Sequence, residues 1–316
     1  HKIKASVKLR HQLVCHLQSL AGKLCSIVGE ENVLVDELMS EHTTFKVGGP
    51  ADLYVIPDDP DEVKETLLAV KDAKAPYFIL GYGSDLLVSD AGYRGVIIAV
   101  ADGLTGVSID DTEMTCQAGV GLKEASEMAC ELDLSGLEFA CGIPGSVGGA
   151  CFMNAGAYGG CIADILSSVC ALMPDGSLAN IPVGELALGY RKSRVRDEGL
   201  VVLSATFRLR EGRPEDIRVR MDDLTQRREE KQPLDRPSAG STFKRPEGHF
   251  AGKLITDAGL KGYQHGGAGV SSKHAGFVVN LGGATAADVR AVISHVQDEV
   301  ERQFGVRLEP ELRFLG

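Results

Sequence analysis

The chain lacks any run of about twenty apolar residues, the length a helix needs to cross a bilayer, so a helical membrane span is excluded. It is also short of positive charge: 33 Lys+Arg against 44 Asp+Glu leave a net charge of −11. Broad nucleic-acid binding rests on many Lys and Arg side chains neutralising phosphates, and this balance argues against it. An anionic ligand must instead be met by a local basic cluster. There is no C-x-x-C pair and no histidine pair at zinc spacing, so no metal site is expected. The eight cysteines, at 15, 25, 116, 130, 141, 151, 161 and 170, are too few for a disulfide scaffold in 316 residues and read as free thiols. The first ten residues carry basic side chains without the long apolar stretch of a secretory signal, which makes the cytoplasm the expected compartment. What remains, 44% apolar and 24% charged residues over this length, describes a globular protein of about two domains.

Apolar spacing predicts a first helix through Leu13, Val14, Leu17, Leu20, Ala21 and Leu24, ended by Gly29. Strand 51–56, helix 61–73 entered through Asp59 and Pro60, and strand 77–80 then read as a β-α-β unit. Strand 96–100 follows the turn residues Gly92 and Gly95. Paired strands 107–109 and 114–118, helix 121–132, a hairpin tipped by Pro174-Asp175-Gly176, and strand 200–209 mix without strict alternation, the texture of an α+β fold. A polar helix 214–231 leads through the proline-bearing segment 233–237 to helix 252–257, strand 276–280, helix 286–304 stopped by Gly305, and strand 307–314.

Glycine is the abundant residue, with 38 copies, and two blocks of it carry chemical meaning. Gly81-Tyr82-Gly83-Ser84-Asp85-Leu86 follows a predicted strand, and its backbone N–H groups could form an anion nest; taken alone it is as readily a tight turn. It lacks the dinucleotide fingerprint and the P-loop lysine. Gly142 to Gly160 could open a short helix at Pro144-Gly145-Ser146 with free N–H groups facing an anion, or could be a close-packed crossing of elements. The two blocks together favour a dinucleotide held by loops. A third segment, Ser238 to Pro246, places Ser241 among small residues, with Arg227, Arg228 and Lys231 just upstream. For Arg227 and Arg228 taken singly, a solvated helix end is the preferred reading. No Gly-x-Ser-x-Gly element accompanies Ser241, so a hydrolase triad is not implied.

Thr43-Thr44-Phe45-Lys46-Val47-Gly48-Gly49-Pro50-Ala51, the Gly81 loop, the Gly142 to Gly159 block, Gly189-Tyr190-Arg191, Ala239-Gly240-Ser241 and Leu308-Glu309-Pro310-Glu311-Leu312-Arg313 follow one another in an order that resembles the UDP-N-acetylenolpyruvoylglucosamine reductase (MurB) family, from about Leu34 to the C-terminus. The resemblance implies an α+β chain: an N-terminal helical segment 1–33, an FAD-binding domain of the PCMH or vanillyl-alcohol-oxidase type at 34–212 with subdomains of about 34–102 and 103–212, and a C-terminal α+β substrate-binding domain at 213–316. It implies a monomeric enzyme of peptidoglycan precursor synthesis. NADPH reduces FAD, and hydride passes to UDP-N-acetylglucosamine enolpyruvate, giving UDP-N-acetylmuramate, with neither nucleic acid nor membrane as partner.

By the same resemblance, Thr44, Lys46, Gly81, Tyr82, Gly83, Ser84, Asp85, Leu86, Gly145, Ser146, Asn154 and Gly156 contact the cofactor. Tyr190, Arg227, Lys231, Lys244 and Arg245 line the UDP-sugar side, and Arg191, Ser241 and Glu311 are catalytic. The chemistry accounts for those three types: hydride addition drives charge onto the substrate carboxylate, which Arg191 and Glu311 hold, while Ser241 delivers the proton. Glu309 is expected to be an exposed carboxylate. The sequence departs from the family at Asp85, where Asn is usual, and this puts an acceptor-only carboxylate near the flavin pyrophosphate. Arg245 replaces an Asn of many relatives, and the short span from Arg191 to Ser241 marks a form without the substrate-covering insertion. Two other classes share part of this pattern: a flavin oxidase of an alcohol or sugar, which has no need of Arg191, Ser241 and Glu311 together, and a non-catalytic nucleotide-sugar sensor.

Overall fold

The computed structural model describes residues 17–316. The first helix runs over 17–28; the part of its predicted pattern at Leu13 and Val14, and Cys15, lie outside the described residues. The other seven cysteines are free thiols. Among the described residues no helix is long and apolar enough to cross a membrane.

Helix Pro60–Asp72 starts where expected, because Asp59 accepts the Glu62 N–H at 2.8 Å and Pro60 takes the first turn, where no amide donor is needed. Val63, Leu67 and Val70 turn inward. The helix joins the parallel strands Pro50–Val55 and Tyr77–Leu80, but the two are not neighbours: Tyr93–Ala99 lies between them, parallel to both. Gly95, read as a turn residue, sits inside that strand, where the Pro76 carbonyl leaves no room for a side chain. An unanticipated strand, Val33–Leu38, closes this four-stranded sheet on its antiparallel side.

The second sheet is antiparallel, in the order Leu178–Pro182, Leu166–Leu172, Val201–Arg208, Glu113–Gln117, Val107–Asp110. Helices Leu122–Glu131 and Val147–Met153 cover it. Met114, Cys116, Ala125, Val147, Val169 and Phe207 share one core with Leu53, Val63 and Val96 of the first sheet. Helix Pro214–Lys231 packs on this half as well, its Ile217, Met221 and Leu224 meeting Cys130 and Cys141.

In the remaining unit, helix Ala286–Phe304 opens with a Thr285/Asp288 capping box and ends at Gly305, whose φ of 68° is the left-handed value a helix stop requires. Its Val289, Val292, Ile293, Val296 and Val300 pack over the strands Ala268–Val270 and Val278–Asn280 and helix Ala251–Asp257, and Phe45, Val47 and Leu87 from the first half complete that core. Asp90 adds a second cap across the junction, accepting the Ala286 and Ala287 N–H groups at 2.7 and 2.9 Å. The expected strand 307–314 is much shorter. Only Arg313–Leu315 forms a strand, and it pairs in parallel with Leu86–Val88, back on the first half. The C-terminal segment therefore crosses between the two halves just where Glu311 lies.

Candidate active site

Arg191, Ser241 and Glu311 converge on one cavity of about 600 Å³. Backbone pairing explains two of them. Glu311 donates its N–H to the Thr242 carbonyl at 2.8 Å, Lys244 donates to the Glu309 carbonyl at 2.9 Å, and Phe243 bridges Pro310, so the segment after Gly240 runs antiparallel to residues 309–311. Thr242 is tied in turn to Gly276 and Val278. Ser241 is thereby held next to the Glu311 segment, where it lines the cavity.

Arg191 arrives from the other half, on a tight turn in which Gly189 and Lys192 exchange backbone hydrogen bonds. Its φ of 52° is left-handed, a conformation that costs a non-glycine residue about 1 kcal/mol or more. The turn is fixed from three sides. Asn154 Nδ2 donates to the Gly189 carbonyl at 3.1 Å, Arg196 Nη1 to the Arg191 carbonyl at 2.9 Å, and the buried Ser193 hydroxyl to the Phe152 carbonyl at 2.6 Å. Arg191 Nε then reaches Glu311 Oε1 at 2.7 Å, with the two side chains 22% and 11% exposed, so each charge is taken out of water only because the other is present. Tyr190 sits under the guanidinium and accepts the Arg245 N–H at 3.3 Å. Arg245 itself stacks on Phe250.

The Gly81 loop lies next to this pair. The backbone N–H groups of Tyr82, Gly83, Ser84 and Asp85 find no hydrogen-bond partner among the described residues, and Gly83 has φ 59°. Consecutive free donors of this kind suit an anion such as a pyrophosphate. The second glycine block faces the loop: a Cβ on Gly81 would lie 2.5 Å from Ser146 Oγ, and one on Gly145 would touch Ser84. The anion is not met by the short helix Val147–Met153, as the sequence suggested. Its first N–H groups are already bonded to the Val120 and Ala118 carbonyls and to Ser146 Oγ. Residues 81–85 thus fit the diphosphate of a dinucleotide, while Ser146 shapes the wall opposite.

Other predicted residues have different neighbours. Thr44 links the Gly81 loop to the Ser241 segment, through its N–H to the Gly83 carbonyl and its hydroxyl to the Ser238 carbonyl. Lys46 is left-handed at φ 56°, and Asn280 bonds its carbonyl. Leu86 is buried in the strand that receives Arg313–Leu315. Asn154 uses its amide to join Ala163 and Gly189, and Gly156 packs inside the hairpin formed with Gly160 and Cys161. Lys244 pairs with the exposed Glu309, Arg227 pairs with Asp223 on its own helix, and neither they nor Lys231 line the cavity. Arg228, set aside as solvated, is half-buried: it lies against Gly142, and burial pulls its pKa down.

Sequence reasoning missed His274, Lys253, Lys261 and Lys273, which line the same cavity. Burial lowers the His274 pKa, and its Nδ1 accepts the Gly276 N–H. A larger cavity of about 750 Å³, bordered by Phe139, Tyr158, Arg208 and Arg210, contains none of the predicted site residues.

Residues 51–181 match an FAD binding domain, and with the donor loop beside a cationic cavity they make the chain an FAD-dependent oxidoreductase. Residues 232–315 match the C-terminal domain of UDP-N-acetylenolpyruvoylglucosamine reductase. The enzyme of that name from Clostridium beijerinckii is 52% identical over 287 residues, covering 91% of this chain and 94% of its own; that from Oceanobacillus iheyensis is 48% identical over 297 residues, covering 94% and 96%. The crystal structure of the Thermus caldophilus enzyme superposes with a TM-score of 0.77 at 36% identity, over 90% of this chain and 98% of that one. The chain belongs to the UDP-N-acetylenolpyruvoylglucosamine reductase family.

Proposed function

We propose that the protein reduces the enolpyruvyl ether of UDP-N-acetylglucosamine to UDP-N-acetylmuramate, as a cytoplasmic monomer that supplies peptidoglycan precursor. FAD, when bound, carries hydride from NADPH to the vinyl carbon. The chain's own residues do the rest. Arg191 holds the substrate carboxylate, on which charge grows as the double bond is attacked, and its fork stabilises that charge where a point cation would do so less well. Glu311 keeps the guanidinium in place from the opposite side. Ser241 Oγ gives its proton to the carbon next to the carboxylate. That carbon is basic enough at this stage to take a proton from a hydroxyl. Lysines 253, 261 and 273 and Arg245 offer the positive field that a diphosphate needs and that the chain as a whole lacks.

The boundaries 34–212 and 213–316 are kept, with helix Pro214–Lys231 as the connecting element packed on the cofactor side. The observation that carries the reading is the convergence of Arg191, Ser241 and Glu311, from three separate segments, on one cavity beside the loop of free donors. An alcohol oxidase needs no such trio. The test has two assays: oxidation of about one equivalent of NADPH per enolpyruvyl ether, followed by absorbance under anaerobic conditions, supports the reading, whereas oxygen consumption with an alcohol as substrate in an aerobic sample rejects it.

A further inference from the structure

Asp85 sits in the loop of free donors, and its surroundings are unusual for a carboxylate. Its Oδ2 is buried and has no hydrogen-bond partner. Its carbonyl accepts the Arg313 N–H at 3.0 Å, which fixes the loop two residues from Glu311. The charged groups acting on it come from two elements: Glu311 and Arg313 on the C-terminal segment, and Arg191 and Arg196 on the turn and short helix that follow Gly189. None of the three arginines forms an ion pair with it, and Arg191 is engaged with Glu311 instead. An ionised Asp85 would therefore place charge on a buried oxygen without a hydrogen-bond partner, beside a second carboxylate and in the loop whose donors fit a diphosphate, which is costly.

Resting on the FAD reading above, we propose that Asp85 works as a neutral carboxylic acid whose O–H is a hydrogen-bond donor to the bound flavin nucleotide, and that loss of this proton weakens the hold on FAD. The protonated acid gives this position the donor that an asparagine amide would otherwise supply. Burial and the neighbouring Glu311 push the Asp85 pKa up to about 7, against the pull of Arg191, Arg313 and Arg196, so the proton is present near neutrality and lost in mild base.

Linkage makes the test direct, because FAD binding to the protonated form takes up a proton above the free-protein pKa. FAD-free protein is titrated with FAD by flavin fluorescence at steps from about pH 6 to about pH 9, as wild type, Asp85→Asn and Glu311→Gln. The wild-type Kd should rise by up to about tenfold per pH unit above about pH 7. Asp85→Asn should bind with little pH dependence and more tightly than wild type at the alkaline end. Glu311→Gln, which removes the neighbouring negative charge, should move the onset to lower pH. A wild-type Kd that is flat with pH overturns the proposal, as does an equal slope in Asp85→Asn. Loss of FAD binding in Asp85→Asn at every pH overturns it too, since the ionised carboxylate would then be the working form. If wild type takes up no FAD at any pH, the FAD reading itself falls.

Discussion

Arg191 Nε lies 2.7 Å from Glu311 Oε1, across a junction that the chain closes only after 120 further residues. The pair joins the turn after Gly189 to the segment leading into Arg313–Leu315, and that segment pairs with the strand directly following the Gly81 loop. The Gly81 loop, Arg191 and Glu311 are thus held by one set of contacts.

Arg191→Lys keeps the charge but loses the fork, so turnover should fall by about 10²-fold, with a smaller change in substrate binding. Steady-state kcat and KM measure the split. Unchanged turnover would mean that Arg191 is only a structural partner of Glu311.

Asn154→Ala removes the bonds to Gly189 and Ala163 and places alanine at φ 46°. A loss of about 1–3 kcal/mol in denaturant unfolding is expected. Activity should fall as well, because the Arg191 turn loses one of its three supports; full activity in the folded variant would contradict this.

Asp90→Ala should cost about 1–2 kcal/mol, since it uncaps helix Ala286–Phe304 and releases the junction between the halves. Asp90→Asn should recover part of that loss. Chemical denaturation of the three proteins decides it.

Asp85 also leaves a mark on the pH dependence of stability. Its ordinary value is 3.8 and the folded value about 7, so over that range the folded chain holds a proton that the unfolded chain has released. Asp85 therefore makes stability fall as pH rises from about 4, with the loss complete above about 7. Unfolding midpoints of FAD-free wild type should carry this slope, and those of Asp85→Asn should lack it.

Much of the fold was legible wherever a local rule acted. Helices Pro214–Lys231 and Ala286–Phe304 have the predicted ends, because proline, cap and Gly305 signals lie within a turn of each boundary. The parallel pairing of Leu86–Val88 with Arg313–Leu315 joins segments over two hundred residues apart through three residues each, and no local pattern encodes it. The insertion of Tyr93–Ala99 between two strands of an apparent β-α-β unit was hidden for the same reason. At the site, Arg191, Ser241 and Glu311 were found by likeness of motifs rather than by spacing. His274 and the cavity lysines went unseen, because Lys253 stands on helix Ala251–Asp257 while Lys261, Lys273 and His274 stand on loops, and no shared periodicity links them. The supposed anion-binding helix at Ser146 failed because carbonyls 118 and 120, from a neighbouring segment, already satisfy its donors.

Stopped-flow absorbance of Ser241→Ala, following each half of the reaction alone, tests the central claim most directly. Reduction of the flavin by NADPH makes no use of the Ser241 proton and should run near the wild-type rate. Reoxidation by the enolpyruvyl substrate should slow by about 10²–10⁴-fold, the usual contribution of a placed general acid, and Ser241→Cys should restore part of it. If alanine slows both halves equally, Ser241 is a structural residue of its turn, and the account of protonation is wrong.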